Sequence, residues 1–280
     1  MEILRNLSLK GAEGKTMLAD VFFVMDGFNK PAIIFNHGFK GFKDWGIWDL
    51  VAEAFAKEGF VFIKFNQSHN GTTPDNPTEF SDLEAFGHNT YSRELYDLDQ
   101  MLKWVEGNSN LPTDLIDRSR INLIGHSRGG ATAILKAGSN GKVRKLATWS
   151  SFKDIGERYS GPEFGNWEND KKVEILNGRT GQQMPQYYEI WEDYKANESA
   201  FDIQSALSKL SIPVMIAHGT EDPTVLFKDA LDLKSANKDA HLYLVPNADH
   251  VYGGSHPYKS EELPAYAQQL VRETASFLKS

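Results

Sequence analysis

Six short apolar runs recur along the chain: Pro31–Phe35, Phe60–Phe65, Ile121–Ile124, Lys145–Trp149, Ile212–Ala217 and His241–Val245. Apolar runs of this length, without polar alternation, suit strands buried on both faces, as in a parallel sheet covered by helices. The stretches between them carry helical spacing. Ile47, Val51, Ala54 and Phe55 share a face, as do Leu95, Leu98, Leu102 and Val105, and Ala131, Ile134 and Leu135. A further helix is expected to start near Val225, and Leu263, Tyr266, Ala267, Leu270, Val271, Thr274 and Phe277 mark one that runs to the end of the chain. Strands alternating with helices imply right-handed crossovers and a mostly parallel sheet sandwiched between helices. Residues 3–10 and 16–25, separated by Gly11 and Gly14, are expected to form an antiparallel hairpin leading into it.

Residues 152–205 break this rhythm. They lack buried-strand runs, contain several glycines, and carry eight aromatics between Phe152 and Tyr194. The segment is read as a cap or lid insertion, partly helical around Tyr187–Tyr194, within a single domain spanning 1–280. Its aromatics serve either as a small core of the insertion or as cover for a site.

Composition narrows the function classes. A formal net charge of −8 argues against a phosphate-binding surface, so no nucleic-acid partner is expected. The absence of cysteine removes a disulfide framework, a thiolate nucleophile and Cys-ligated metal sites. No stretch approaches the roughly 18 apolar residues needed to span a bilayer, and the N-terminus has no run of signal-peptide length, so the expected setting is cytoplasmic with no membrane partner.

The run Ile121–Ile124 leads into Gly125-His126-Ser127-Arg128-Gly129, a GxSxG pattern that places a serine on a tight strand-to-helix turn. A serine hydroxyl needs a base to accept its proton, usually a histidine steadied by a carboxylate. The strand at 212–217 runs into His218-Gly-Thr-Glu-Asp222-Pro, and the strand at 241–245 into Pro246-Asn-Ala-Asp-His250. Asp222 is thus the expected acid, with Glu221 and Asp249 as rivals, and His250 the expected base. Two donors are needed for a developing oxyanion. The strand at 32–35 ends in Asn36-His37-Gly38-Phe39, so the backbone N–H groups of Phe39 and Arg128 fit those places.

The set NHGFKG, GHSRGG, HGTEDPTV and ADH, in this order, resembles the α/β-hydrolase superfamily, and within it the dienelactone-hydrolase and prolyl-oligopeptidase-related esterases that include cinnamoyl (feruloyl) esterases. The likeness covers about residue 20 to the end. It implies the α/β-hydrolase fold, Ser127 as nucleophile, Asp222 as acid, His250 as base, and Phe39 with Arg128 as oxyanion donors. Dienelactone hydrolases proper use a cysteine nucleophile, which this chain lacks, so that chemistry is not expected. The function implied is a serine carboxylesterase acting on small to medium, possibly aromatic, acyl esters. A serine aminopeptidase, oligopeptidase or thioesterase on the same scaffold is the alternative, and a receptor-like binding homologue with vestigial turnover is the alternative of another class.

The remaining histidines carry blander expectations. His37 is read as fixing its loop by hydrogen bonding, His126 as buried beside the turn, and His69 and His88 as polar loop residues. No metal-ligand spacing appears and the glycines of GHSRGG lack the lysine of a phosphate loop, so neither metal nor cofactor is expected.

Overall fold

The computed structural model describes residues 1–107, 111 and 115–280. Its strands are β1 (Glu2–Lys10), β2 (Thr16–Phe23), β3 (Lys30–Asn36), β4 (Val61–Phe65), β5 (Ile116–His126), β6 (Val143–Trp149), β7 (Lys172–Leu176), β8 (Gln183–Tyr187), β9 (Val214–Gly219) and β10 (His241–Val245). The helices are α1 (Trp48–Lys57), α2 (Leu83–Gly87), α3 (Tyr91–Gly107), α4 (Arg128–Ser139), α5 (Trp167–Asp170), α6 (Glu189–Ala196), α7 (Ile203–Ser208), α8 (Phe227–Ala236) and α9 (Ala265–Lys279). Eight strands form one sheet in the order β1-β2-β4-β3-β5-β6-β9-β10. From β4 to β10 every pairing is parallel, while β2 runs antiparallel to both β4 and β1. All six apolar runs lie in the parallel part, and the hairpin forms its edge.

Side-chain alternation splits each buried strand between two cores. Ile33 and Phe35 of β3 pack with Trp48, Val51 and Phe55 of α1 and with Leu270 and Val271 of α9. Ala32 and Ile34 face the other way, towards Leu98 and Leu102 of α3, Ile134 of α4 and Leu207 of α7. A strand that buries both faces can spare no polar alternation, which is why its sequence reads as a continuous apolar run. No helix among the described residues is long and apolar enough to cross a membrane.

Between β6 and α7 the chain is helical close to the expected Tyr187–Tyr194 but also holds an unexpected strand pair. It contains an antiparallel pair, β7 with β8, and helix α6, which begins at Glu189. The sequence does not predict the pair because its strands, KVEIL and QMPQY, are short, and β7 is largely exposed while β8 is interrupted by Pro185. Neither shows the long buried pattern by which strands are recognised.

At the hairpin edge the sheet buries charge. The side chains of Asp20 and Lys64 are fully buried and that of Lys43 nearly so. Asp20 Oδ2 lies 2.7 Å from Arg5 Nη1, 2.9 Å from Lys43 Nζ and 3.2 Å from Lys64 Nζ, while Oδ1 accepts the Asn6 N–H at 2.8 Å. Asp49 completes the network with Lys64 at 2.6 Å and Arg5 at 2.7 Å, and Asp44 with Lys43 at 2.6 Å. The three carboxylates lie close enough to share a cation, but three basic side chains already occupy that role. Breaking such a network leaves a buried charge uncompensated, so Asp20→Asn is expected to lower the unfolding free energy by about 3 kcal/mol at neutral pH. Burial opposes ionisation of Asp20, yet Lys64, the Asn6 N–H and Lys43 outweigh it and hold the carboxyl well below its usual 3.8. A depressed folded value makes this stabilisation complete above about pH 4 and lost as pH falls further. Urea denaturation across acidic pH should therefore show the wild-type and Asp20→Asn curves converging, and a gap that widens in acid would contradict the account.

Candidate active site

Four strand ends build the site. β5 passes into α4 through Ser127, whose backbone sits at φ 55°, ψ −121°, a left-handed φ that a side-chain-bearing residue rarely adopts. Close packing on both sides holds it there. A Cβ on Gly129 would lie 2.2 Å from the Asn36 carbonyl oxygen, and one on Gly125 would lie 2.2 Å from the Gly129 carbonyl oxygen. The helix therefore starts in contact with the ends of β5 and β3. Asn36 strengthens that contact by donating to Thr132 Oγ1 at 2.8 Å and to the Gly129 carbonyl at 3.3 Å.

Beyond β3, the loop Gly38-Phe39-Lys40-Gly41 comes up against the turn, where a Cβ on Gly38 would lie 2.9 Å from that of Ser127. His37 braces this loop. Its Nδ1–H donates to the Gly38 carbonyl at 2.9 Å and its Nε2 receives Asn70 Nδ2 at 3.4 Å. Burial pushes its imidazole down to about 4, so it stays neutral and serves as a fixed donor and acceptor. Among the described residues, the backbone N–H groups of Phe39 and Arg128 have no protein acceptor.

β9 and β10 deliver the other two groups. Asp222 is locked by its own turn, with Oδ1 accepting the N–H groups of Thr224 at 2.8 Å and Val225 at 2.9 Å. Its Oδ2 accepts His250 Nδ1–H at 2.7 Å. His218, which the sequence did not single out, stands 3.3 Å from the same oxygen while donating to the Val225 carbonyl at 2.8 Å. Burial alone would raise the Asp222 carboxyl, but hydrogen bonds from His218 and His250 hold it far below the usual carboxylate range. The rival acids are elsewhere: Asp249 caps the N–H groups of Val251 and Gly253, and Glu221 is exposed. His126 holds His250 from behind. Its Nε2–H donates to the His250 carbonyl at 2.8 Å, its ring centroid lies 4.8 Å from that of His250, and burial lowers its imidazole to about 3.

Ser127, Arg128, Phe39 and His250 all line one cavity of about 430 Å³. No hydrogen bond joins the Ser127 hydroxyl to the His250 imidazole, whose Nδ1 is engaged by Asp222. His69 and His88 lie outside this cavity: His69 pairs with Ser68 Oγ at 2.8 Å, and His88 binds Glu189.

The family model for the alpha/beta hydrolase fold matches residues 31–161. Among solved structures, Est1E from Butyrivibrio proteoclasticus in complex with ferulic acid superposes with a TM-score of 0.73 at 16% identity, covering 98% of each chain. The esterase domain of a Rhodothermus marinus protein superposes with a TM-score of 0.65 at 16% identity, covering 99% of this chain and all of that one. The chain has the α/β-hydrolase fold. A search of curated proteins finds no match to the sequence.

In this fold the Arg128 side chain, whose direction the sequence left open, turns inward and is buried. Its Nε stands 2.7 Å from Glu94 Oε1, Nη1 donates to Tyr159 Oη at 3.0 Å, Nη2 donates to the Asn89 carbonyl at 2.7 Å, and the guanidinium lies 4.0 Å over the Tyr91 ring. This ties the first turn of α4 to α3 and, through Tyr159, to the segment 152–205. Burial lifts the Glu94 carboxyl to about 6 even with the guanidinium against it. The aromatics of that segment divide between the two expected uses. Phe152, Tyr159 and Phe164 line the cavity, while Trp167, Tyr188, Trp191 and Tyr194 pack chiefly in an aromatic cluster. Trp45 and Trp48 also line the cavity; their side chains project from the α1 entry, a place that periodicity alone reads as core.

Removing one partner of a buried ion pair is costly, whereas replacing both with apolar groups is often neutral. Glu94→Gln should therefore destabilise the fold by about 3–5 kcal/mol, and the double variant Glu94→Leu/Arg128→Met should recover most of that loss in urea denaturation. A double variant no more stable than the single one would refute this description of the pair.

Proposed function

We propose that this α/β-hydrolase is a serine hydrolase, a carboxylesterase cleaving small to medium acyl esters through an acyl-enzyme on Ser127. The observation that carries the reading is the pairing of His250 Nδ1–H with the buried Asp222 carboxylate at 2.7 Å, at the cavity that also holds Ser127 on a strained turn. With Nδ1 engaged as a donor, Nε2 is left as the lone-pair nitrogen, the form a general base requires.

In the proposed reaction His250 Nε2 takes the Ser127 hydroxyl proton as Oγ attacks the ester carbonyl. The negative charge that develops on the carbonyl oxygen is met by the N–H groups of Phe39 and Arg128, which have no other acceptor. The imidazolium is stabilised by Asp222, which remains ionised, and returns its proton to the departing alcohol. Water then repeats the sequence on the acyl-enzyme. The segment 152–205 serves as a cap, since Phe152, Tyr159 and Phe164 give one wall of the cavity and favour aromatic acyl groups. Est1E, which superposes over nearly the whole chain, was solved with ferulic acid bound, and that supports the same direction.

Ser127→Ala is expected to reduce kcat on p-nitrophenyl butyrate at least about 10⁴-fold and to abolish labelling by a fluorophosphonate, with the fold retained. Asp222→Asn should lower kcat about 10⁴-fold, because the amide reverses the tautomer His250 must hold. Undiminished turnover in Ser127→Ala would overturn the proposal. Comparison with peptide amides of the same acyl groups separates an esterase from a peptidase.

A further inference from the structure

The cavity carries charge of a sign opposite to that of the molecule. The chain holds 38 acidic against 30 basic side chains, yet the charged groups lining the cavity are Lys40, Arg128, Arg158 and Glu163. Arg128 is neutralised by Glu94 beneath it. The other two cations have no carboxylate within 4.0 Å among the described residues. Lys40 Nζ reaches only the Leu176 carbonyl, at 3.4 Å, and lies 5.6 Å over the Phe39 ring. Arg158 Nη1 reaches only the Thr224 carbonyl, at 3.3 Å, and its guanidinium lies 5.5 Å over the Phe152 ring. Glu163, at the exposed rim, is folded back over Gly161.

Lys40 is also held at φ 54°, a conformation in which glycine would be unstrained. Strain of that kind persists where surrounding structure enforces it, and it concentrates at ligand sites. Its half-buried ammonium is pushed below its usual value by desolvation, with no carboxylate to offset the effect. Two cations poised over aromatic rings, Lys40 half-buried in the cavity and Arg158 exposed at its rim, neither with a carboxylate within 4.0 Å among the described residues, are placed to receive an anion.

Resting on the esterase reading above, we propose that the cavity selects esters bearing a second, free carboxylate, held by Lys40 and Arg158 while the ester carbonyl reaches Ser127. The substrate class is thus a half-ester of a dicarboxylic acid or an ester whose alcohol portion carries an acid group. The reaction itself is the ordinary one, in which water cleaves the ester to an acid and an alcohol and the free carboxylate is unchanged.

Two isosteric pairs test this with the full chain. On the acyl side, the p-nitrophenyl half-ester of adipic acid is compared with the p-nitrophenyl ester of adipamic acid; on the alcohol side, p-carboxyphenyl acetate with p-carbamoylphenyl acetate. In at least one pair kcat/KM should favour the carboxylate about tenfold or more after correction for spontaneous hydrolysis, and added salt should reduce the ratio. In Lys40→Gln/Arg158→Gln the ratio should fall to near one, with Arg158→Gln alone, at the exposed rim, giving an intermediate value. Calorimetric binding of the same four compounds to Ser127→Ala separates the two proposals. A carboxylate preference in binding without turnover by the wild type would sink the esterase reading and sustain this one. Turnover in which the amides equal or exceed the carboxylates in both pairs, or a preference that survives the double substitution, would overturn the inference.

Discussion

The structure depends on how closely its backbone segments approach one another beneath Ser127. Gly125 and Gly129 let β5, the start of α4 and the end of β3 touch without intervening side chains, and a methyl at either glycine would overlap a carbonyl oxygen at 2.2 Å. That packing forces the serine into its left-handed conformation and sets its hydroxyl at the cavity rather than in a strand or helix face. The same device recurs at the other end of the site, where a Cβ on Gly219 would lie 2.3 Å from the Ala248 carbonyl. The loop after β9 that carries Asp222 and the loop after β10 that carries His250 are thereby held edge to edge, and the Asp222–His250 contact follows. Strain of about 1–3 kcal/mol at one residue is small against the two cores that hold the strands in place.

Electrostatics then separates the roles of similar side chains. His37, His126 and His250 all border the site, but burial keeps the first two neutral, with both His37 nitrogens engaged by the Gly38 carbonyl and Asn70 and His126 Nε2 by the His250 carbonyl. They position loops. His250 alone is set between a buried carboxylate and the cavity. Arg128 shows a parallel division within a single residue, since its backbone N–H has no acceptor among the described residues while its side chain is committed to Glu94, Tyr159 and Asn89.

Strands and their order of use were legible because a sheet buried on both faces writes a continuous apolar run, and β10 was read to the residue. Boundaries blurred where polar residues extend a strand, as in β5, whose stretch Asp117–Arg120 is polar and exposed from Arg118 onward. Ser127, Asp222 and His250 could be read because each follows a recognisable strand end. The partners that hold them could not. His218 and Glu94 come near their targets only through loop closure and helix packing, and Glu94 looks, in sequence, like an exposed residue of an amphipathic helix. The β7–β8 pair was missed for a related reason: its strands gain their partners from each other rather than from the main core, so little hydrophobic patterning is required of them. Lys40 and Arg158 are remote in sequence, and only the folded chain shows that they share a cavity.

The central claim is that Ser127, His250 and the N–H groups of Phe39 and Arg128 converge on one reacting atom. A crystal structure of the protein after reaction with a fluorophosphonate measures this most directly. The account predicts phosphorus bonded to Ser127 Oγ, its oxygen within about 2.7–3.1 Å of both N–H nitrogens, and His250 Nε2 within hydrogen-bonding distance of an oxygen of the adduct. An adduct on another residue, or one whose oxygen points away from Phe39 and Arg128 with the His250 ring turned out of reach, would contradict it.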